Sequence, residues 1–343
     1  MIRAKKRIVL CFGVLDEADI IEYFLTYHLS TGIDAFVAVD VGSTDGTLDI
    51  LREHERAGYL HLLRAHYADW ESTVPMIETA REQCGAEWCL FGDADEFWIF
   101  PGGHARVYLD SASTGIVIFP RYNVVPSRVY GSVAHFSDFN LIVHNPIEFF
   151  YHAPVNSLQN FRIRREQPDY ARMLLSNYPP EILRVIAPKV AARAEVVQTL
   201  VPGFHDIVSI PTDAPRHREQ IGYIAHFPTR SLKQFRRKAA LIARRFDQID
   251  WADGDPVLGW HWARLSVLFK HKLVDHEFFR QVLGEKEIDR LLAEGIIRRD
   301  PSLSKALASK SGLATMHPNS VQIRPLLDVI KKIFFVGARR NMS

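Results

Sequence analysis

Cysteine is scarce in this chain and poorly placed for cross-linking. Cys11, Cys84 and Cys89 are three in 343 residues, an odd number without Cys-x-x-Cys spacing. That argues against a disulfide framework or a zinc ribbon and fits a reducing compartment. An excess of charge of either sign is lacking too. Forty-two Lys and Arg stand against 40 Asp and Glu, a formal net charge of +2, so no global field draws nucleic acid, and none is expected as a partner. No apolar stretch approaches the ~20 residues that a membrane-spanning helix needs. The opening imitates a signal peptide, with Arg3, Lys5, Lys6 and Arg7 before IVLCFGVL. That apolar run is short, and it meets Asp16, Glu17 and Asp19 with no small-residue cleavage site. It reads as a first strand, and the expected location is cytoplasmic, at most peripheral to a membrane. Two phosphate-binding fingerprints are also missing. No Gly-x-Gly-x-x-Gly follows the first strand and no Gly-x4-Gly-Lys-Ser/Thr occurs, which leaves a dinucleotide-binding Rossmann site and a P-loop without support.

What the chain does have is concentrated in EWCLFGDADEFWIFP, residues 87–101. An apolar run of strand length, Trp88 to Phe91, ends in Gly92 and then in Asp93, Asp95 and Glu96, after which aromatic residues resume. A buried strand that stops on carboxylates sets them at its carboxyl end, where open α/β sheets bind ligands. Asp-x-Asp brings two carboxylates within reach of one hard divalent cation. An acidic turn or a helix cap uses the same residue types. Trp98 beside these acids has two readings, stacking on a sugar ring or buried packing.

The rest of the first half alternates strand and helix signals. Residues 7–15 form a strand. From Asp16 an acidic first turn leads into Ile20, Ile21, Phe24, Leu25 and Leu29 at helical spacing. Strands follow at 34–40, 59–63, 87–91 and 115–120. Asp45 in GSTDGT caps a helix through Leu51, and further helices fall at 72–84 and 103–111. This alternation predicts an α/β fold with a mostly parallel sheet flanked by helices. Its strand ends carry acids three times over, at Asp16/Glu17, Asp40 and Asp93/Asp95, so the carboxylates should converge on one edge.

FGVLDEADIIEYFLTYHLSTGIDAFVAVDVGSTDGTLDIL followed by FGDADEFW resembles the family 2 glycosyltransferases, in particular a subgroup with an Asp-x-Asp-Glu-Phe motif. The likeness is close over about the first 100 residues and looser to about residue 240. Asp16 stands where Asn is common, and Val41 where a small polar residue is frequent. The resemblance implies a GT-A fold over 1–240 and transfer of a sugar from a nucleoside-diphosphate donor, a UDP-sugar above all, to an acceptor hydroxyl with inversion. The acceptor would be a glycan, a lipid-linked sugar or a protein, as in polysaccharide or glycoconjugate synthesis. Glu17, Asp40, Asp45, Asp93 and Lys189 would bind the nucleotide-sugar, and Asp93 and Asp95 would hold Mn2+ or Mg2+. A late histidine often completes such a metal site, and His205 and His226 are both candidates, His226 by its place at a strand end. Asp95 and Glu96 are the candidate catalytic residues. Asp138, Glu148 and Asp206 compete with Glu96 for the role of general base.

Arg121, Tyr122 and Asn123 open a polar loop and either meet sugar or tie down a turn. The segment GYIAHFPTRSLKQFRRKA reads as a strand ending in His226 and a helix capped by Ser231. On that helix Arg230, Lys233, Arg236, Arg237 and Lys238 suit a solvated face, or else attraction for a diphosphate. Residues 241–343 have helical texture and read as a C-terminal extension. Its last stretch, PLLDVIKKIFFVGARR, combines apolar residues with Lys331, Lys332, Arg339 and Arg340, a composition suited to packing on its own domain or to an anionic membrane surface. Two other functions fit parts of the pattern. One is a nucleotidyltransferase, which would carry a basic glycine-rich loop where VLDEAD is acidic. The other is a non-catalytic sugar- or protein-binding module, which would have no need of intact Asp40, Asp93 and Asp95.

Overall fold

The computed structural model describes residues 7–65, 74–126, 141–147, 166–176, 179–248 and 260–301. In chain order its strands are β1 (Arg7–Val14), β2 (Ala35–Asp40), β3 (Leu60–Arg64), β4 (Ala86–Asp93), β5 (Glu96–Ile99), β6 (Ile116–Phe119) and β7 (Arg121–Asn123). Then come β8 (Leu141–Val143), β9 (Lys189–Arg193), β10 (Val197–Leu200), β11 (Ile207–Ser209), β12 (Arg216–Arg218), β13 (Tyr223–His226) and β14 (Ile297–Arg299). The structure is mixed α/β. A central sheet in the order β12-β6-β9-β4-β1-β2-β3 is mostly parallel. β1 runs parallel to β2 and β4, and β2 to β3, while β9 opposes its neighbours β4 and β6.

β1 and β2 are apolar without alternation because both faces of the sheet are covered. Every residue of β2 and all of β1 after Arg7 are buried. On one face Ile8, Leu10 and Phe12 meet Ile21, Phe24 and Leu25 of the helix Ile21–Ser30. On the other, Val9 and Cys11 meet Met76, Ile77 and Ala80. That second covering is the helix expected at 72–84, which begins as α-helix at Val74–Glu78 and continues as a π-helical turn at Thr79–Gln83.

A second sheet, β5-β13-β7, stands beside the first, with β13 antiparallel to β5 and parallel to β7. Its register sets Glu96, His226 and Asn123 side by side across three strands from distant parts of the chain. The aromatic residues after the acids explain how β5 is held. Phe97 packs against Phe24, Tyr27, His28 and Phe227 with ring centroids 5.8, 5.3, 5.7 and 5.2 Å away. Such pairs contribute about 0.5–1.5 kcal/mol each beyond area burial. Trp98 is fully buried between Phe100 and Phe119, so of its two readings the structure selects packing.

Beyond β13 the helix Leu232–Gln248 runs unbroken through residues 240 and 241, so the division drawn there falls inside one element. Phe235, Ala239, Ile242 and Phe246 pack with the helices Pro168–Ser176, Trp260–Lys270 and Val274–Gln281 in a separate apolar cluster. After the helix Glu285–Ala293 the described chain returns a strand, β14, to pair with β8. No helix among the described residues is long and apolar enough to cross a membrane. The basic stretch near the C-terminus lies outside them.

One buried histidine ties the first helix to the second sheet. His28 is fully buried; Nδ1 meets the Phe24 carbonyl at 2.8 Å and Nε2 accepts the Trp98 backbone N–H at 3.1 Å. This pairing needs the neutral ring, and burial lowers its pKa to about 3. The folded protein therefore binds this proton less readily than the unfolded chain, whose histidine titrates near 6.5. The contribution is complete above pH 6.5 and falls toward pH 3 by up to about 1.4 kcal/mol per unit. Replacing His28 by Leu should also orphan the Trp98 N–H, at a cost of about 1–3 kcal/mol. Urea unfolding at pH 7.5 and 5.5 should show a loss of stability at the lower pH that shrinks in His28→Leu.

Candidate functional site

The acids after β1 and β2 are stitched to each other's loops. Asp16 adopts a left-handed backbone (φ 58°), which Asp tolerates better than bulkier residues. Its N–H donates to Ser43 Oγ at 2.9 Å, and its Oδ1 accepts the Thr44 N–H at 2.7 Å. The Glu17 N–H donates to Thr47 Oγ1 at 2.8 Å, and the Ala18 N–H to Asp45 Oδ2 at 3.1 Å. Asp45 Oδ1 accepts the Thr47 N–H at 3.0 Å, at the start of the helix Thr47–Arg56. Asp40 is fully buried and accepts the N–H groups of Gly42 and Ser43, so it shapes the turn that follows it. Carboxylates thus set the loop geometry by binding backbone N–H groups.

At the end of β4 a second network forms. Glu96 is fully buried, and its Oε2 accepts the Asp93 N–H at 3.0 Å and faces Lys189 Nζ at 3.3 Å. Its Oε1 accepts a hydrogen bond from Arg121. Lys189 Nζ also donates to Asp93 Oδ2 at 2.7 Å and to the Gly203 carbonyl at 2.8 Å.

Asp95 stands apart from that network. Its Oδ2 lies 3.5 Å from His226 Nε2, 3.8 Å from Arg230 Nη1 and 3.9 Å from Lys238 Nζ. Burial works against its ionisation, and His226, Lys238 and Arg230 more than offset this, so the carboxyl sits well below the usual range. Burial lowers the pKa of His226, against the pull of Asp95. His226 Nδ1 meets Asn123 Oδ1 at 2.7 Å. Asp95, Glu96 and His226 bring one potential ligand atom each within 4.8 Å of one another, the one such trio of His, Cys and acidic groups among the described residues.

Arg230, only 2% exposed, gathers the remaining acids. It donates to Asp19 at 2.9 and 3.0 Å, to Glu17, and to the Phe227 carbonyl at 2.8 Å. Burial raises the pKa of Glu17 to about 8 against the pull of Arg230. Arg237 makes two 2.9 Å hydrogen bonds to Asp16 and a third, of 2.8 Å, to Thr44.

These contacts change several sequence expectations. Lys189 is 1% exposed with Asp93, Glu96 and Gly203 as partners, so its ammonium is spent inside the protein and is not offered to a nucleotide. Glu96 is occupied on both oxygens by cations and an N–H, an arrangement unsuited to a general base. Asp206 is held by Arg216 at 3.1 Å. Asp138 and Glu148 lie outside the described residues. His205 turns Nδ1 to the Pro188 carbonyl at 2.9 Å, and burial and Lys189 lower its pKa to about 4. Neither His205 nor Asp93 belongs to the trio around Asp95. The basic run divides. Arg230, Arg237 and Lys238 face acids, Arg236 pairs with Asp275 at the surface, and Lys233 is exposed. Ser231 does cap the helix, its Oγ accepting the Gln234 N–H at 3.1 Å. Sequence reasoning missed Arg230 as the hub of three acids; its place directly before a capping Ser was the available signal.

The structural role of Glu96 is testable. Glu96→Gln should lose about 3 kcal/mol of stability, because Lys189 and Arg121 keep their charges in a buried place with a weaker partner. The urea midpoint measures it. A Glu96 acting as general base would instead leave the midpoint in place.

Comparison with known proteins gives partial likenesses. No family model matches. Over 60 residues the chain is 40% identical to the lipopolysaccharide core biosynthesis glycosyltransferase LpsC of Rhizobium meliloti (strain 1021), a match covering 18% of this chain and 22% of that protein. The chain thus spans about a fifth of that relative's length. Among solved structures, S. aureus TarS 1–349 aligns over 77% of this chain and 70% of its own, at 13% identity and a TM-score of 0.35. The same protein in complex with UDP gives 13% and 0.36 over the same shares. Scores this low carry no argument.

Proposed function

We propose that this protein is a metal-dependent glycosyltransferase that moves a sugar from a nucleoside-diphosphate donor to an acceptor hydroxyl. One observation supports it above the rest. Asp95 and His226 Nε2 face each other 3.5 Å apart, at the edge where β1, β2 and β4 end in acids. Nδ1 of His226 is engaged by the Asn123 amide oxygen, which leaves Nε2 as the ring nitrogen that faces the carboxylate. A carboxylate oxygen and an imidazole nitrogen at that distance can share a cation, a proton or a metal ion, between them. The 60-residue likeness to a lipopolysaccharide core glycosyltransferase supports the same reading.

The residues present fit such an ion. Asp95 Oδ2 and His226 Nε2 would hold it, while Asp93, with Oδ2 taken by Lys189, lies outside that group. Glu96 does not fit as a ligand. Hard oxygens with one imidazole favour Mn2+ over Mg2+. When bound, the ion would act as a Lewis acid that neutralises charge on the departing diphosphate. The chain's own contributions follow from the geometry. The interlocked loops at 16–18 and 43–47 would receive the nucleoside. Half-buried Lys238 and Arg237, at the same mouth, would draw the phosphates. Attack by the acceptor hydroxyl opposite the diphosphate would invert the anomeric carbon. A UDP-sugar donor and a glycan, lipid-linked or protein acceptor belong to this proposal through the resemblance of the sequence. The proposed location is the one that composition predicts, cytoplasmic and at most peripheral to a membrane.

Thermal unfolding with UDP, GDP, ADP, CDP and dTDP, each with and without Mn2+, tests the proposal. A ligand that binds only the folded state stabilises by about 2.7 kcal/mol at a hundred times its Kd, a shift of several degrees. One nucleotide should produce it, only with Mn2+, and Asp95→Ala should abolish both the shift and sugar transfer. Absence of a shift with every nucleotide, or full activity in Asp95→Ala, overturns the proposal.

A further inference from the structure

Asn123 lies on β7 beside His226 of β13, and it is 3% exposed. Its amide is oriented by a backbone group on its far side. Nδ2 donates to the Ile182 carbonyl at 2.9 Å. A carbonyl oxygen only accepts, so the nitrogen of the amide must face Ile182 and the oxygen must face His226. Oδ1 in turn only accepts, so the ring nitrogen 2.7 Å from it must carry the proton. The neutral imidazole is therefore fixed with hydrogen on Nδ1, which leaves the lone pair on Nε2, the nitrogen 3.5 Å from Asp95.

The carbonyl that orients Asn123 is itself held from the helical part of the chain. The Ile182 N–H donates to Gln281 Oε1 at 2.6 Å. Gln281 Nε2 donates to Glu277, which pairs with buried Arg264 at 2.5 Å. Arg264, Glu277, Gln281 and Ile182 are all buried. The Ile182 carbonyl leaves the Asn123 amide a single orientation, and the series through Gln281, Glu277 and Arg264 holds in place the segment that carries it.

We infer that Asn123 is a positioning residue that locks His226 in the Nδ1–H tautomer, with Gln281 and Ile182 holding the Asn123 amide in the one orientation that does so. The inference rests on the functional reading above for what the lone pair binds, a divalent cation, and on geometry alone for the tautomer. A partner behind a metal-binding histidine sets its tautomer and ring angle, and losing it typically costs 10- to 100-fold in metal affinity.

The first readout is 15N NMR of the histidine rings in metal-free, full-length protein, with the His226 signals assigned by their loss in His226→Gln. The wild-type ring should show a protonated Nδ1 and an unprotonated Nε2. A wild-type ring protonated on Nε2 and not on Nδ1 overturns the inference without any variant. Asn123→Asp, which keeps an acceptor toward Nδ1, should retain the tautomer. Asn123→Leu should convert it wholly or partly to Nε2–H. The second readout is Mn2+ binding by the EPR signal of the free ion. Asn123→Leu should weaken it at least tenfold and Asn123→Asp by less than Asn123→Leu. An unchanged tautomer and affinity in folded Asn123→Leu overturns the inference. If Asn123→Leu does not fold, Gln281→Leu replaces it and should broaden or split the His226 ring signals; sharp, unchanged signals there count against the lock. Wild-type protein that binds neither Mn2+ nor nucleotide defeats the functional reading, whereas the metal-free tautomer still decides the role of Asn123.

Discussion

Carboxylates crowded at one sheet edge repel each other, and the rest of the structure depends on how that repulsion is met. Asp16, Glu17 and Asp19 follow β1, Asp40 ends β2, and Asp93, Asp95 and Glu96 close β4 and open β5. Apart from Arg64 beside Asp40, cations that balance them come from later in the chain: Arg121 on β7, Lys189 on β9, and Arg230 and Arg237 around the start of the helix Leu232–Gln248. Every one of these ion pairs joins segments far apart in sequence. Breaking one would leave its partner charged in a place with little water, which costs far more than a surface pair is worth.

That requirement accounts for the architecture around the site. β9 runs against β4 and so brings Lys189 beside Asp93 and Glu96. β13 lies between β5 and β7, which sets His226 level with Glu96 and Asn123. Phe97, packed among Phe24, Tyr27, His28 and Phe227, anchors β5 so that Asp95 and Glu96 point in different directions to different partners. The two adjacent acids consequently do different work. Glu96 is a saturated internal strut. Asp95 faces His226 at 3.5 Å and Arg230 and Lys238 at 3.8 and 3.9 Å.

The polar network behind the site also links the two halves of the described chain. From Arg264 and Glu277 it passes through Gln281 and the Ile182 backbone to Asn123 and His226. The helix Leu232–Gln248 serves both parts as well. It turns Arg237 and Lys238 to the acids and Phe235, Ala239 and Phe246 to the helical cluster. Helical residues after 240 are therefore coupled to the site through packing and hydrogen bonds.

Much of the first hundred residues was legible in the sequence because the signals there are local. Continuous apolar runs mark strands buried on both faces, helical spacing marks Phe24 and Leu25, and acids at strand ends must lie at one edge once the strands are parallel. Ser231 as a cap is equally local, since its hydroxyl needs only an N–H three residues ahead. Residue type could not say which acid is free and which is spent. Asp93, Asp95 and Glu96 look alike as a string, and the basic run at 230–238 looks like a solvated face. Their roles were decided by Lys189, Arg121, Arg230 and Asn123, which tertiary folding brings in from later in the chain. The sequence by itself determined where the carboxylates stand. Only the tertiary structure decided which of them a cation already holds, because that depends on distances between strands that no spacing along the chain encodes.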